Sequence, residues 1–190
     1  CSSDLMPADR VDGVAWREVV EVSGGVSAVR RDQVAEEVPL AIHCNGEPLA
    51  VMMVSPCDLE DFAHGFALTE LGLGPGDPVS VVLQSLLEGI QLDLRTRDPL
   101  PARAVDPQRW LPGRSGCGIC GHRHLEDVVR QPAAVGQGSA IASSALEVAL
   151  RQIEQRQPLN AATGAIHAAA WAREDGSLVL VREDVGRHNA

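Results

Sequence analysis

The sequence predicts an α/β protein (α+β overall), with a β-rich N-terminal part ahead of a C-terminal α/β domain. Three observations predict it. Short runs of β-branched residues, separated by Gly- and Asn-containing turns, recur before residue 95. Two segments with apolar residues at helical spacing interrupt the strands, one in each half. Between the halves, proline and arginine dominate residues 95–115, which gives the best boundary. The expected organisation is residues 1–94 as a β-rich region with one helix, 95–135 as a connecting loop, and 136–190 as the α/β domain.

Residues 1–12 are polar and irregular and predict no element. Residues 14–22, around Trp16, and 26–34 predict two strands joined across Ser23-Gly24-Gly25. Residues 38–44 and 49–54 flank Asn45-Gly46, the commonest two-residue hairpin turn, so a second hairpin is expected there. His43 and Cys44 fall inside it and read as side chains packed in a sheet. Ser55-Pro56 then opens a helix with Asp58 in its first turn, where a carboxylate suits the dipole. Leu59, Phe62, Ala63 and Phe66 form its core face, Glu70 lies near that face, and Leu71-Gly72 ends it. Residues 79–83 and 89–94 predict two further strands.

Residues 139–156 predict a helix with an apolar stripe of Ile141, Leu146, Ala149, Leu150 and Ile153, ended by Pro158. Glu147 and Arg151 lie at an i,i+4 spacing on another side. The segment Thr163-Gly-Ala-Ile-His167, with the alanines up to Trp171, fits either a tightly packed strand or a helix. Glu174-Asp175-Gly176 predicts a turn and residues 177–181 a strand. The chain then runs into the charged, glycine-containing string Arg182-Glu-Asp-Val-Gly-Arg-His-Asn-Ala190, which reads as the middle of an element rather than an end.

The chemistry-bearing stretch is Arg114-Ser-Gly-Cys-Gly-Ile-Cys-Gly-His122. Glycines around Cys117 and Cys120 predict a loop that presents sulfur, since a helix or strand would waste their conformational range. Four uses of Cys-x-x-Cys compete. A structural zinc needs a second ligand pair, and His122 and His124 stand too close for the usual knuckle. A thioredoxin-like pair opens a helix directly after a strand, with less glycine. A structural disulfide sits poorly with five cysteines and no secretory leader. The fourth use is covalent sulfur transfer through a thiolate, which Arg114, His122, Arg123 and His124 would favour by their positive charge.

Composition sets limits on these readings. With 190 residues the chain is expected to bury one core, or one core and an appendage. Aromatic residues are 3% and the net charge is −10, which argues against nucleic-acid binding. All 16 basic residues are arginine, which excludes lysine Schiff-base and P-loop lysine chemistry. No apolar run approaches a membrane span, so no membrane partner and a cytoplasmic location are expected.

Several strings together resemble one family. Ser115-Gly-Cys-Gly-Ile-Cys-Gly121 is similar to the cysteine loop of the formate dehydrogenase accessory sulfurtransferases. Thr163-Gly-Ala-Ile-His167, the C-terminal string 182–190, and the helix with Gly65-Phe66 and Thr69-Glu70 match that family in kind and order. The resemblance implies a sulfur carrier that takes a persulfide from a cysteine desulfurase on Cys117, with Cys120 as second thiol. It implies delivery to the molybdenum or tungsten of a bis-pterin guanine dinucleotide cofactor used by formate dehydrogenase. It further implies a homodimer, a cytidine-deaminase-like C-terminal domain, no permanently bound cofactor, and a guanine-cofactor surface including His167, Arg187, His188 and Asn189. Family members continue past the position of Ala190, so that surface is expected to be incomplete here. A zinc deaminase would need His-x-Glu ahead of Pro-Cys-x-x-Cys. Glycine stands at 116, and His64-Gly-Phe and His43-Cys-Asn break the pattern. The alternatives are therefore a zinc-binding deaminase fold or a small zinc-stabilised interaction module.

Overall fold

A computed structural model describes residues 12–74, 76–77, 79–97, 134 and 136–190. The described chain is mixed α/β and divides into two compact units. One comprises the segment ending at Glu37, Val54–Cys57 and Ile141–Ala190; the other comprises Val38–Met53 and the segment from Asp58 to Ala140.

The second of these is built on a four-stranded sheet of order β4-β3-β6-β5, with β3 Val38–Cys44, β4 Glu47–Val54, β5 Val79–Ser85 and β6 Ile90–Thr96. β3 and β6 are parallel, with Ile42 opposite Leu92 and Cys44 opposite Leu94. β5 runs antiparallel to β6. The period-two pattern of β3 sends Leu40, Ile42 and Cys44 into the core, where Leu92 and Leu94 meet them. Removing the side chain of a fully buried leucine such as Leu92 costs about 2–5 kcal/mol. Asn45 and Gly46 both have positive φ, 53° and 85°, as the expected hairpin turn requires. That turn is tied to β6: Asn45 Nδ2 donates to Thr96 Oγ1 at 2.9 Å, and Gly46 N–H donates to the buried Asp93 at 3.1 Å.

Helix α1, Leu59–Phe66, starts later than Ser55-Pro56 suggested. Asp58 takes a left-handed conformation (φ 50°), and Cys57 N–H closes a turn onto the Ser55 carbonyl, so no helix passes through these residues. The expected inward face holds: Ala63 is buried and Leu59, Phe62 and Phe66 are half-buried. The helix continues as a π-helical turn, Ala67–Leu71, closed by Gly72 at φ 70°.

The other unit contains two hairpins and two helices. β1 Val14–Ser23 and β2 Val26–Ala35 pair antiparallel with Ser23 opposite Val26, turning through Gly24 and Gly25 as expected. Arg31 lies 5.6 Å over the Trp16 ring. Helix α2 is Ser143–Gln155, four residues shorter at its start than periodicity suggested. Its inward side matches the expected stripe only in part: Ala145 is buried and Ala149 and Ile153 are half-buried, while Ile141, Leu146 and Leu150 are exposed. The cause is close docking. The Ala145 backbone lies where a Cβ on Gly176 would sit, so the hairpin turn needs glycine at 176 and packs directly on the helix backbone. Gln152 extends the contact by donating to the Gly176 carbonyl at 3.1 Å.

Pro158 does not simply end a helix; it opens helix α3, Pro158–Thr163, at a first-turn position that needs no N–H. Gly164, at φ 65°, caps its C-terminus and releases the chain into β7, His167–Ala172. The alanine segment is thus a strand rather than a helix, but an open one: apart from half-buried Ala168 its residues are exposed, not tightly packed. β7 pairs antiparallel with β8, Leu178–Asp184, across the expected turn at Asp175-Gly176. Among the described residues no helix is long and apolar enough to cross a membrane.

Candidate functional site

Cys117 and Cys120 lie outside the described residues, as do Arg114, His122, Arg123 and His124. The other candidates fall at one end of the β7–β8 hairpin. Antiparallel register sets His167, the first residue of β7, opposite Asp184, the last of β8. The register thus brings the start of β7 beside the strand end from which the next turn leaves. That turn carries Arg187, His188 and Asn189.

The turn is shaped from beneath by Asp184, which is 5% exposed. Its Oδ1 accepts from Gly186 N–H at 2.7 Å and from Asn189 Nδ2 at 2.9 Å. Its Oδ2 accepts from Ser55 N–H at 2.9 Å. Ser55, fully buried, returns the connection: its Oγ accepts from Val185 N–H at 3.1 Å. The Gly186 carbonyl accepts from Asn189 N–H at 2.9 Å, which closes the turn. A Cβ on Gly186 would sit 2.7 Å from Asn189 Nδ2, so a side chain here would push that amide away from its place on Asp184.

This arrangement sorts the candidate residues. Arg187 and His188 are exposed, and among the described residues no hydrogen bond or ion pair engages either side chain. His167 is exposed as well. Asn189 is half-buried and its amide is committed to Asp184. The open groups thus offer one permanent cation and two imidazoles, a set suited to phosphate oxygens and to the edge of a base. Sequence reasoning overlooked Asp184, Glu183 and Ser55. The signal available was a pair of acidic residues ending a strand immediately before a glycine turn.

Glu183 has a separate task. It is 8% exposed, and its carboxylate accepts from Leu159 N–H at 3.0 Å and Asn160 N–H at 2.9 Å. These are orphan donors of the first turn of α3, so the strand supplies the cap that Gln157 does not.

The two described cysteines do not resemble a sulfur-handling pair. Cys44 is buried in β3 beside Thr96, and burial pushes its thiol above the usual range, with the Thr96 hydrogen bond opposing. A thiol held protonated is a poor nucleophile. Cys57 is half-buried, its sulfur near Gly13 and Leu159. Among the described residues no group of three or more His, Cys, Asp or Glu side chains is arranged to hold a metal ion.

Residues 35–190 match the sequence model of the FdhD/NarQ family. The chain is 48% identical over 181 residues to the sulfur carrier protein FdhD of Xanthomonas campestris pv. campestris strain B100, covering 94% of this chain and 64% of that protein. It is 46% identical over 160 residues to the sulfur carrier protein FdhD of Cupriavidus necator, covering 84% of this chain and 56% of that one. A crystal structure of a candidate formate dehydrogenase accessory protein from Desulfotalea psychrophila superposes with a TM-score of 0.64 at 21% identity, covering 94% of this chain and 65% of that one. The chain thus spans less than two thirds of the length of these relatives.

Proposed function

Because this chain belongs to the FdhD/NarQ family, we propose that it is a sulfur carrier in the maturation of formate dehydrogenase, with Cys117 as the residue that bears the sulfur. The observation that carries the reading is the 48% identity to a protein named as a sulfur carrier, extending over 94% of this chain. The Cys117 thiolate attacks the outer sulfur of a persulfide on a cysteine desulfurase. The donor S–S bond breaks, a new one forms on Cys117, and the donor cysteine leaves as thiolate, so no net redox change occurs. Cys120 then releases the sulfur: its thiolate attacks Cys117 Sγ, hydrosulfide departs, and a Cys117–Cys120 disulfide remains for an external thiol to reduce. Arg114, His122, Arg123 and His124, close to the pair in sequence, are the cations that would favour its thiolate form.

The substrate of delivery is the molybdenum or tungsten centre of a bis-pterin guanine dinucleotide, the form used by formate dehydrogenase. Arg187, His188 and His167 take its guanine-nucleotide portion. Their exposure at one end of the β7–β8 hairpin supports that assignment. The same reading makes α2, β7 and β8 part of a cytidine-deaminase-like domain, the working form a homodimer, and the cytoplasm the place of action.

Transfer of radiolabelled sulfur from cysteine by a desulfurase tests the carrier role. The chain is expected to acquire label that a thiol reductant removes. A chain that remains unlabelled while the desulfurase itself is charged would overturn it.

A further inference from the structure

We propose that Asp184 and Ser55 are positioning residues for the nucleotide-binding turn, and that Asn189 belongs with them rather than with the groups touching the ligand. This rests on the reading of Arg187, His188 and His167 given above. Two segments far apart in sequence meet here: Ser55 precedes α1, and Asp184 ends β8, 129 residues later. Each satisfies the other's backbone or side chain, through Ser55 N–H to Asp184 Oδ2 and Val185 N–H to Ser55 Oγ.

The consequence is a turn determined at three points. Oδ1 of Asp184 holds Gly186 from within the turn and Asn189 from its far side, and Ser55 holds Val185 at its entry. Between these anchors stand Arg187 and His188, whose side chains make no such bonds among the described residues. A ligand group on Asn189 would have to compete with the Asp184 carboxylate for the same amide. A charge-assisted hydrogen bond to a buried carboxylate is among the stronger ones, so the amide stays with Asp184. Held backbone geometry at 185–189 reduces the ordering that binding must otherwise impose on Arg187 and His188.

The test combines two readouts on the full chain, with guanosine diphosphate as the probe. An amide chemical-shift titration gives affinity, and hydrogen exchange at Gly186 N–H reports the turn directly. Wild-type chain is expected to shift at Arg187 and His188. Ser55→Ala and Asn189→Ala are each expected to bind about five- to tenfold more weakly, the scale of one lost hydrogen bond. Both are expected to exchange Gly186 N–H faster. Ser55→Thr, which keeps the hydroxyl, is expected to restore affinity and protection together. Asp184→Asn is the strongest perturbation, and the two milder variants decide the matter if it does not fold.

Weaker binding by Asn189→Ala with Gly186 exchange unchanged would overturn the proposal, because Asn189 would then be a ligand contact. Faster exchange with wild-type affinity would also overturn it, since the held turn would not matter to binding. Wild-type chain that ignores the nucleotide while Gly186 stays protected would instead remove the underlying assignment, and this proposal with it.

Discussion

Replacing Glu183 is expected to loosen helix α3 from the end of β8 and to destabilise the unit that contains both. In Glu183→Gln the side chain keeps one acceptor and turns an NH2 group toward a backbone donor that had been satisfied. Hydrogen bonds to a charged group contribute about 1.5–3 kcal/mol each, and a buried donor left unpaired carries a penalty of similar size. The expected loss is about 2–3 kcal/mol for Gln and about 3–6 kcal/mol for Ala, which loses both bonds. Against a total stability of about 5–15 kcal/mol, Gln lowers the midpoint measurably and Ala endangers folding. At about 2–4 °C per kcal/mol for a chain of this size, Glu183→Gln should melt roughly 5–10 °C lower. Trp16 in β1 and Trp171 in β7 both lie in that unit, so tryptophan fluorescence during thermal or urea unfolding reports on it. A Glu183→Gln variant within about 0.5 kcal/mol of wild type would refute the capping argument, because that is the range of an ordinary surface substitution.

Gly46→Ala should destabilise by about 1 kcal/mol, since φ at Gly46 is 85° and a Cβ there is strained although nothing crowds it; urea midpoints measure it. Cys44 should resist alkylation until the protein unfolds, whereas Cys57 should react first of the two; timed mass spectrometry distinguishes them. Because the folded-state pKa of Cys44 is raised, its contribution to stability is fully present below the ordinary thiol range and is lost as pH rises through the elevated value. Cys44→Ala should flatten that alkaline loss in a pH series of unfolding curves. Purified chain should carry no stoichiometric zinc, and elemental analysis checks it. One tightly held zinc, lost with Cys117→Ser and with folding lost to chelator, would point to a zinc-stabilised interaction module instead.

The hairpins were legible because their signals are local. Ser23-Gly24-Gly25 and Asn45-Gly46 sit between β-branched runs, and the glycines and Asn45 take the positive φ that such turns demand. Gly72 and the turn at Asp175-Gly176 could be read for the same reason. What escaped depends on residues distant in sequence. Helix α3 has no capping side chain of its own at Gln157, because Glu183 caps it from another strand. The start of α1 is displaced because the residues from Ser55 to Asp58 form a turn instead. The inward face of α2 follows Ala145 and Gln152 rather than its leucines, since close approach to Gly176 outweighs apolar area. At the candidate site, Arg187 and His188 could be named from the string 182–190, but the carboxylate that shapes their turn is itself anchored by Ser55, 129 residues away.

The most direct test of the sulfur-carrier account locates the sulfur. The chain is incubated with a cysteine desulfurase and cysteine, persulfides are trapped by alkylation, and peptides are mapped by mass spectrometry. The account predicts the added sulfur on Cys117, its loss in Cys117→Ser, and slower release but retained loading in Cys120→Ser. Added sulfur found only on Cys44 or Cys57, with Cys117→Ser loading as wild type, would contradict it.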